Sequence, residues 1–71
     1  MEEELLKTFG NHLKTIRKDY GLSQEALADK ARLDRTYVSG VETGKRNISL
    51  KALNAIAKAL DKNLSQLFDG M

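Results

Sequence analysis

An all-α fold of five helices is what this sequence predicts, and three observations carry the prediction. Apolar residues recur at spacings of three and four, the helical period, and no stretch gives a strand signal. Helix-starting residues, Ser23, Asp34, Ser49 and Asn63, stand ahead of the four later apolar runs, across short connections. Proline is absent, so nothing interrupts a helix from within. The chain has 71 residues, 41% of them apolar, with no internal repeat, low-complexity tract or linker. Residues 1–71 are therefore expected to form one domain, near the size at which a single core becomes marginal.

The first helix is expected from about residue 2 to Tyr20, with Leu5, Phe9, Leu13, Ile16 and Tyr20 as its apolar stripe. Glu2, Glu3 and Glu4 complement the positive end of its dipole, and Gly21 ends it. Gly10 is unfavourable inside a helix unless a neighbouring helix comes close there. Ser23 caps a second helix over about residues 24–31, with Leu27, Ala28 and Ala31 facing inward. Arg32-Leu33 is a tight connection.

The third helix starts at the N-cap Asp34 and runs to about Thr43. Leu33 and Val38 have the spacing of a hydrophobic staple around that cap. Gly44 supplies the left-handed stop, and Lys45 and Arg46 follow at once. Val38 and Val41 share one face; Arg35, Thr36, Ser39, Gly40 and Thr43 fall largely on the other. Two short helices across a turn of three or four residues are a helix-turn-helix unit. Ser49 then caps a fourth helix, with Leu50, Leu53, Ile56, Ala57 and Leu60 as its apolar positions, and Ile48 and Leu53 repeat the staple. Asn63 caps a short fifth helix carrying Leu64, Leu67 and Phe68.

Composition narrows the chemistry. There is no cysteine, hence no disulfide, thiolate metal site or thiol nucleophile. His12 is the only histidine and lies beside the apolar stripe of the first helix, the place of a boundary residue. Glu25 and Asp29, four apart, read as the solvated face of a short helix rather than a general acid and base. Ser23, Ser39, Ser49 and Ser65 lack any base arrangement around them. Gly40 and Gly44 follow no strand and form no phosphate loop. An enzyme is not expected, nor any metal or other cofactor.

No apolar run approaches the ~20 residues that span a bilayer, and the acidic N-terminus is unlike a signal peptide. A cytoplasmic location is expected. The net charge of +2 conceals an uneven distribution. With three of the ten acids at Glu2–Glu4, residues 5–71 carry twelve bases against seven acids, a net of +5. A basic body suits a polyanion.

The run Ser23-Gln-Glu-Ala-Leu-Ala28, followed by Val38-Ser-Gly-Val-Glu-Thr-Gly-Lys-Arg-Asn47, resembles the Cro/CI (XRE-type) helix-turn-helix regulators. The likeness continues through Ser49-Leu50 and Ile56-Ala57-Lys58-Ala59-Leu60 to Leu67-Phe68, covering about residues 9–68. Leu33 to Glu42 looks most like the short controller proteins of restriction-modification systems. The resemblance implies a five-helix lambda-repressor-like domain whose third helix reads DNA while the second lies across the backbone.

Carried over, Arg35, Thr36 and Ser39 face base edges, Arg35 by donating two hydrogen bonds to guanine, and Arg46 reaches a base or the minor groove. Ser23, Gln24, Tyr37, Thr43, Lys45 and Asn47 are the phosphate set. Two of these keep a second reading: Tyr37 can pack against the second helix, and Gln24 can be an ordinary first-turn residue. Arg17 and Glu42 match a family ion pair that is internal. Two positions depart from the pattern. Arg32 stands where glycine is frequent, so a positive φ there costs of order 1 kcal/mol. Gly40 stands where many relatives have a reading side chain, leaving room for close backbone approach and shifting selectivity toward DNA shape.

One such domain makes few base contacts, so a homodimer on a palindromic operator is expected, with Leu64, Leu67 and Phe68 as interface candidates. The expected partners are double-stranded DNA, a second copy of the chain and RNA polymerase, with no membrane and no small-molecule ligand. The alternative of another class is an antitoxin-like interaction module with secondary DNA binding.

Overall fold

The computed structural model describes residues 2–71, without the Glu2 side chain. Five helices follow in order: α1 (Glu2–Tyr20), α2 (Gln24–Ala31), α3 (Arg35–Glu42), α4 (Leu50–Ala59) and α5 (Leu64–Phe68). No strand occurs among the described residues, and every expected helix is present. Leu13, Leu27, Val38, Val41, Ile56, Leu60 and Leu67 are fully buried and draw on all five helices. Ile16, Leu22, Leu33, Tyr37, Ile48, Leu53 and Leu64 pack around them, half-buried. α1 packs on α3, α2 lies against both α3 and α4, and α5 closes α4.

The start signals act largely as the residue types require. Ser23 accepts the Ala26 amide at 3.0 Å and Ser49 accepts that of Ala52 at 3.1 Å. Asn63 and Gln66 form a reciprocal capping box at 2.8 and 2.9 Å, satisfying two free amides at once. Asp34 departs from expectation: it occupies the N-cap of α3 with extended backbone, but its side chain accepts no capping hydrogen bond.

Gly10 marks a close approach, as its place predicts. A Cβ there would lie 2.5 Å from the carbonyl oxygens of both Val41 and Glu42, so α1 crosses the end of α3 at backbone contact. His12, half-buried, bonds the Leu67 carbonyl through Nε2 at 2.7 Å and ties α1 to α5.

Four expected apolar positions face outward. Leu5 is 61% exposed and Leu50 72%, while Tyr20 and Phe68 are each 41% exposed. α1 is about 28 Å long at 1.5 Å per residue, more than twice the length of α3, and Leu5 in its first turns is left exposed. Tyr20, in its last turn, instead hydrogen-bonds the Asp61 carboxylate and lies 4.9 Å beneath the Lys30 ammonium. Of the three interface candidates on α5, Leu67 is excluded. That side chain is wholly in the core, so it is unavailable to a partner, whereas Phe68 packs against Phe9 at 5.9 Å and stays partly open.

Candidate nucleic-acid interface

The geometry of the helix-turn-helix unit begins at the left-handed residue Arg32, with φ 58° and ψ 45°. The Leu33 amide reaches back to the Ala28 carbonyl at 2.8 Å, the six-to-one bond that closes a helix through a left-handed residue. The strain expected at a residue with a Cβ is therefore present. In return α2 stops abruptly and α3 begins three residues later.

α3 buries Val38 and Val41 and turns Arg35, Thr36, Ser39 and Gly40 outward, with Thr43 just past its end. Arg35 and Thr36 are exposed; Ser39 is half-exposed. The sole ion pair among the described residues is Arg17–Glu42, so Arg35, Lys45 and Arg46 have no carboxylate partner. Gly44, with φ 75°, ends the segment as expected.

Gly40 also has a use within the chain. A Cβ there would lie 3.3 Å from Arg46 Cβ, so the missing side chain makes room for Arg46. The amides of Lys45 and Arg46 both reach the Gly40 carbonyl, at 3.0 and 3.2 Å, folding the loop back onto α3. The Arg46 guanidinium then sits 5.2 Å from the centre of the Tyr37 ring, a cation–π distance. The Tyr37 hydroxyl accepts the Ser49 amide at 3.1 Å and donates, at a long 3.5 Å, to the Asn47 carbonyl. Tyr37 therefore braces α3 against the start of α4. This hydroxyl link and the Arg46 stack were not legible in the sequence, because both depend on the path of residues 45–49.

Beneath this face, Arg17 and Glu42 are each 5% exposed. Arg17 Nε donates to Glu42 Oε2 at 2.6 Å and Nη2 donates to Oε1 at 3.0 Å. Nη1 donates to the Leu22 carbonyl at 2.7 Å. The hydrogen bond to Glu42 holds the Arg17 guanidinium above its ordinary pKa against the opposing effect of burial. Gln24 Nε2 adds a third donor to Glu42 at 3.1 Å. Gln24 is thus more than a first-turn residue: the carboxylate of α3 fixes its amide at the N-terminus of α2.

Ser23, Gln24, Glu25, Arg17 and Arg35 line one shallow cleft, bringing the N-terminus of α2 beside the start of α3. The Thr43 hydroxyl is directed at the Ser39 and Gly40 carbonyls, at 3.0 and 3.2 Å, so it completes the end of α3. Lys45 and Asn47 are exposed in the loop beyond. Among the described residues no group of three His, Cys, Asp or Glu is placed to hold a metal. No described helix is long and apolar enough to cross a membrane.

Comparison with known proteins agrees with this geometry. The helix-turn-helix family profile matches residues 13–67. The control protein C.MunI of a Mycoplasma species is 52% identical over 61 residues, covering 84% of this chain and 82% of the relative. The control protein C.BamHI of Bacillus amyloliquefaciens is 39% identical over 70 residues, 97% of this chain and 86% of the relative. The crystal structure of the restriction-modification controller protein C.AhdI from Aeromonas hydrophila superimposes with a TM-score of 0.85 at 49% identity, covering 89% of this chain and 96% of that one. The chain belongs to the helix-turn-helix family of DNA-binding transcriptional regulators, and restriction-modification controller proteins are among its similar relatives.

Proposed function

We propose that the protein is a homodimeric regulator that binds a palindromic operator near its own promoter and acts as the controller of a restriction-modification system. The observation that supports this reading best is the outward face of α3. Its cation forms no ion pair among the described residues, and its backbone is anchored from below by the Arg17–Glu42 fork. In this reading Arg35 reads a guanine edge, with Thr36 and Ser39 beside it. Ser23 and Gln24 present the α2 N-terminus to a phosphate, where free amides and the dipole favour an anion. Lys45, Arg46, Asn47, Tyr37 and Thr43 flank the other side, and Arg46 approaches the duplex from its seat on Tyr37.

The second subunit docks on the apolar end of the molecule. Leu5, Leu6, Phe9, Ile48, Leu53, Phe68 and Met71 line a cleft of about 210 Å³ there. Leu5, Phe68 and Met71 are well exposed, and Leu50 projects from the start of α4. Pairing two copies across this end removes that surface from water and sets two recognition helices on successive major grooves, about 34 Å apart. Dimerisation then makes operator occupancy follow protein concentration, which suits a regulator of its own gene. RNA polymerase is the further partner that such a protein meets at a promoter.

The test is to select duplexes from a random pool with the wild-type protein, then titrate the selected site against salt and footprint it. Two protected half-sites about one helical turn apart and a steep fall of affinity with salt are expected. Binding that ignores salt, or that fails to enrich any sequence, contradicts the reading.

A further inference from the structure

A cleft of about 340 Å³ separates α1 from the edge of the helix-turn-helix unit, lined by Lys7, Asn11, Lys14, Gln24, Glu42 and Thr43. We propose that this cleft is a second DNA-backbone site, in which Lys7, Asn11 and Lys14 of α1 hold a phosphate outside the helix-turn-helix unit. The inference rests on the DNA-binding reading above and extends the footprint to a helix that reading leaves as scaffold.

Positions 7, 11 and 14 recur at intervals of four and three and so share one face of α1. All three side chains are exposed, and among the described residues neither lysine forms an ion pair. The one acid in the cleft is already engaged: Glu42 receives two donors from Arg17 and one from Gln24. What faces the opening is therefore two ammonium groups with no ion pair among the described residues, and the Asn11 amide beside them. An anion is the ligand this arrangement favours.

The position of the lysines is fixed by backbone contact. Gly10 sits directly against the Val41 and Glu42 carbonyls, and a Cβ on Gly44 would lie 2.6 Å from Lys7 Cγ and 3.0 Å from Lys7 Cα. α1 therefore lies against α3 and the turn that follows it at backbone contact. The cleft is also continuous with the proposed interface, because Gln24 and Thr43 belong to both. A lysine is a point charge without fixed donor geometry, so these contacts add affinity and salt dependence and no base preference. A purely structural role is the competing account: the lysines would neutralise the negative C-terminal end of α3. That account predicts a change in stability with no change in salt dependence.

The experiment compares Lys7→Gln/Lys14→Gln with wild type on a duplex selected by the wild-type protein and on a random duplex, across a salt series. A control, Lys58→Gln/Lys62→Gln, removes the same charge elsewhere; Lys58 lines a separate groove with Lys30 and Arg32. Each phosphate contact contributes a slope of about 0.9 in log K against log salt. The double variant is expected to lower the slope by about 2 on both duplexes and to leave the selected-to-random ratio unchanged. Lys7→Arg/Lys14→Arg should restore the slope, and the control should retain it. A wild-type slope in Lys7→Gln/Lys14→Gln, with or without a lower Tm, overturns this inference alone. Wild-type protein without salt-dependent binding to either duplex overturns the DNA reading as well.

Discussion

Arg17 and Glu42, 25 residues apart in the sequence, meet in two hydrogen bonds of 2.6 and 3.0 Å that fasten α1 to the end of α3. Both side chains are nearly buried, so removing one strands the other's charge away from water. Glu42→Gln and Arg17→Met are each expected to destabilise the fold by about 3–5 kcal/mol, read by urea denaturation. A loss below about 1 kcal/mol would mean that the fork contributes little. The pair also sets a pH dependence. The guanidinium pKa is raised by folding, so its contribution is complete below the ordinary arginine range and declines only as pH rises through the raised value. The difference in stability between wild type and Arg17→Met is accordingly the same at about pH 7 and about pH 9.

Gly10 is where α1 and α3 touch through backbone. Substitution by alanine improves intrinsic helix propensity by about 1 kcal/mol, yet its Cβ would fall 2.5 Å from two carbonyl oxygens that belong to α3. The helices must separate. Overpacking costs about 1–3 kcal/mol, so after that gain Gly10→Ala is expected to lose up to about 2 kcal/mol net, measured by thermal unfolding. A stabilised variant would show that the crossing has slack.

Arg32 holds a left-handed conformation without being glycine. Arg32→Gly relieves about 1–2 kcal/mol of strain and gives back roughly 0.4–1 kcal/mol to the freedom of the unfolded chain. Those two terms leave a net gain of between about 0 and 1.6 kcal/mol. Denaturation of the variant checks it, and a loss of stability would show that the Arg32 side chain makes a compensating contact.

Leu50 and Leu67 separate assembly from folding. Leu50→Lys changes a side chain that is 72% exposed, so it should leave the helical spectrum intact while weakening the proposed dimer about tenfold or more in sedimentation. Leu67→Ala removes a side chain with no exposure and should cost about 2–5 kcal/mol of stability. Equal dimer affinity in wild type and Leu50→Lys would place the interface elsewhere.

Much of this architecture was legible in the chain because local physics decides it. Ser23, Ser49 and Asn63 cap the helices they precede, Gly21 and Gly44 end helices with positive φ, and Gly10 marks the crossing. Periodicity gives a face but not what lies opposite, which is why Leu5 and Leu50 were expected inside. A helix of five residues offers two apolar neighbours, and only packing decides that Leu67 turns in while Phe68 stays open. At the site, the residue types on α3 could be read in order. The seating of Arg46 on Gly40 and Tyr37, and the tie of Gln24 to Glu42, required the path of the loops.

The most direct test of the account is competition between a duplex selected by the wild-type protein and a random duplex, repeated with Arg35→Ala. Arg35 is exposed and forms no ion pair among the described residues, so the variant should fold as the wild type does. Its preference for the selected duplex should fall by about 1–3 kcal/mol per half-site, roughly 5- to 150-fold, while its salt dependence is largely kept. An Arg35→Ala protein that retains full preference would contradict the assignment of α3 as the reading helix.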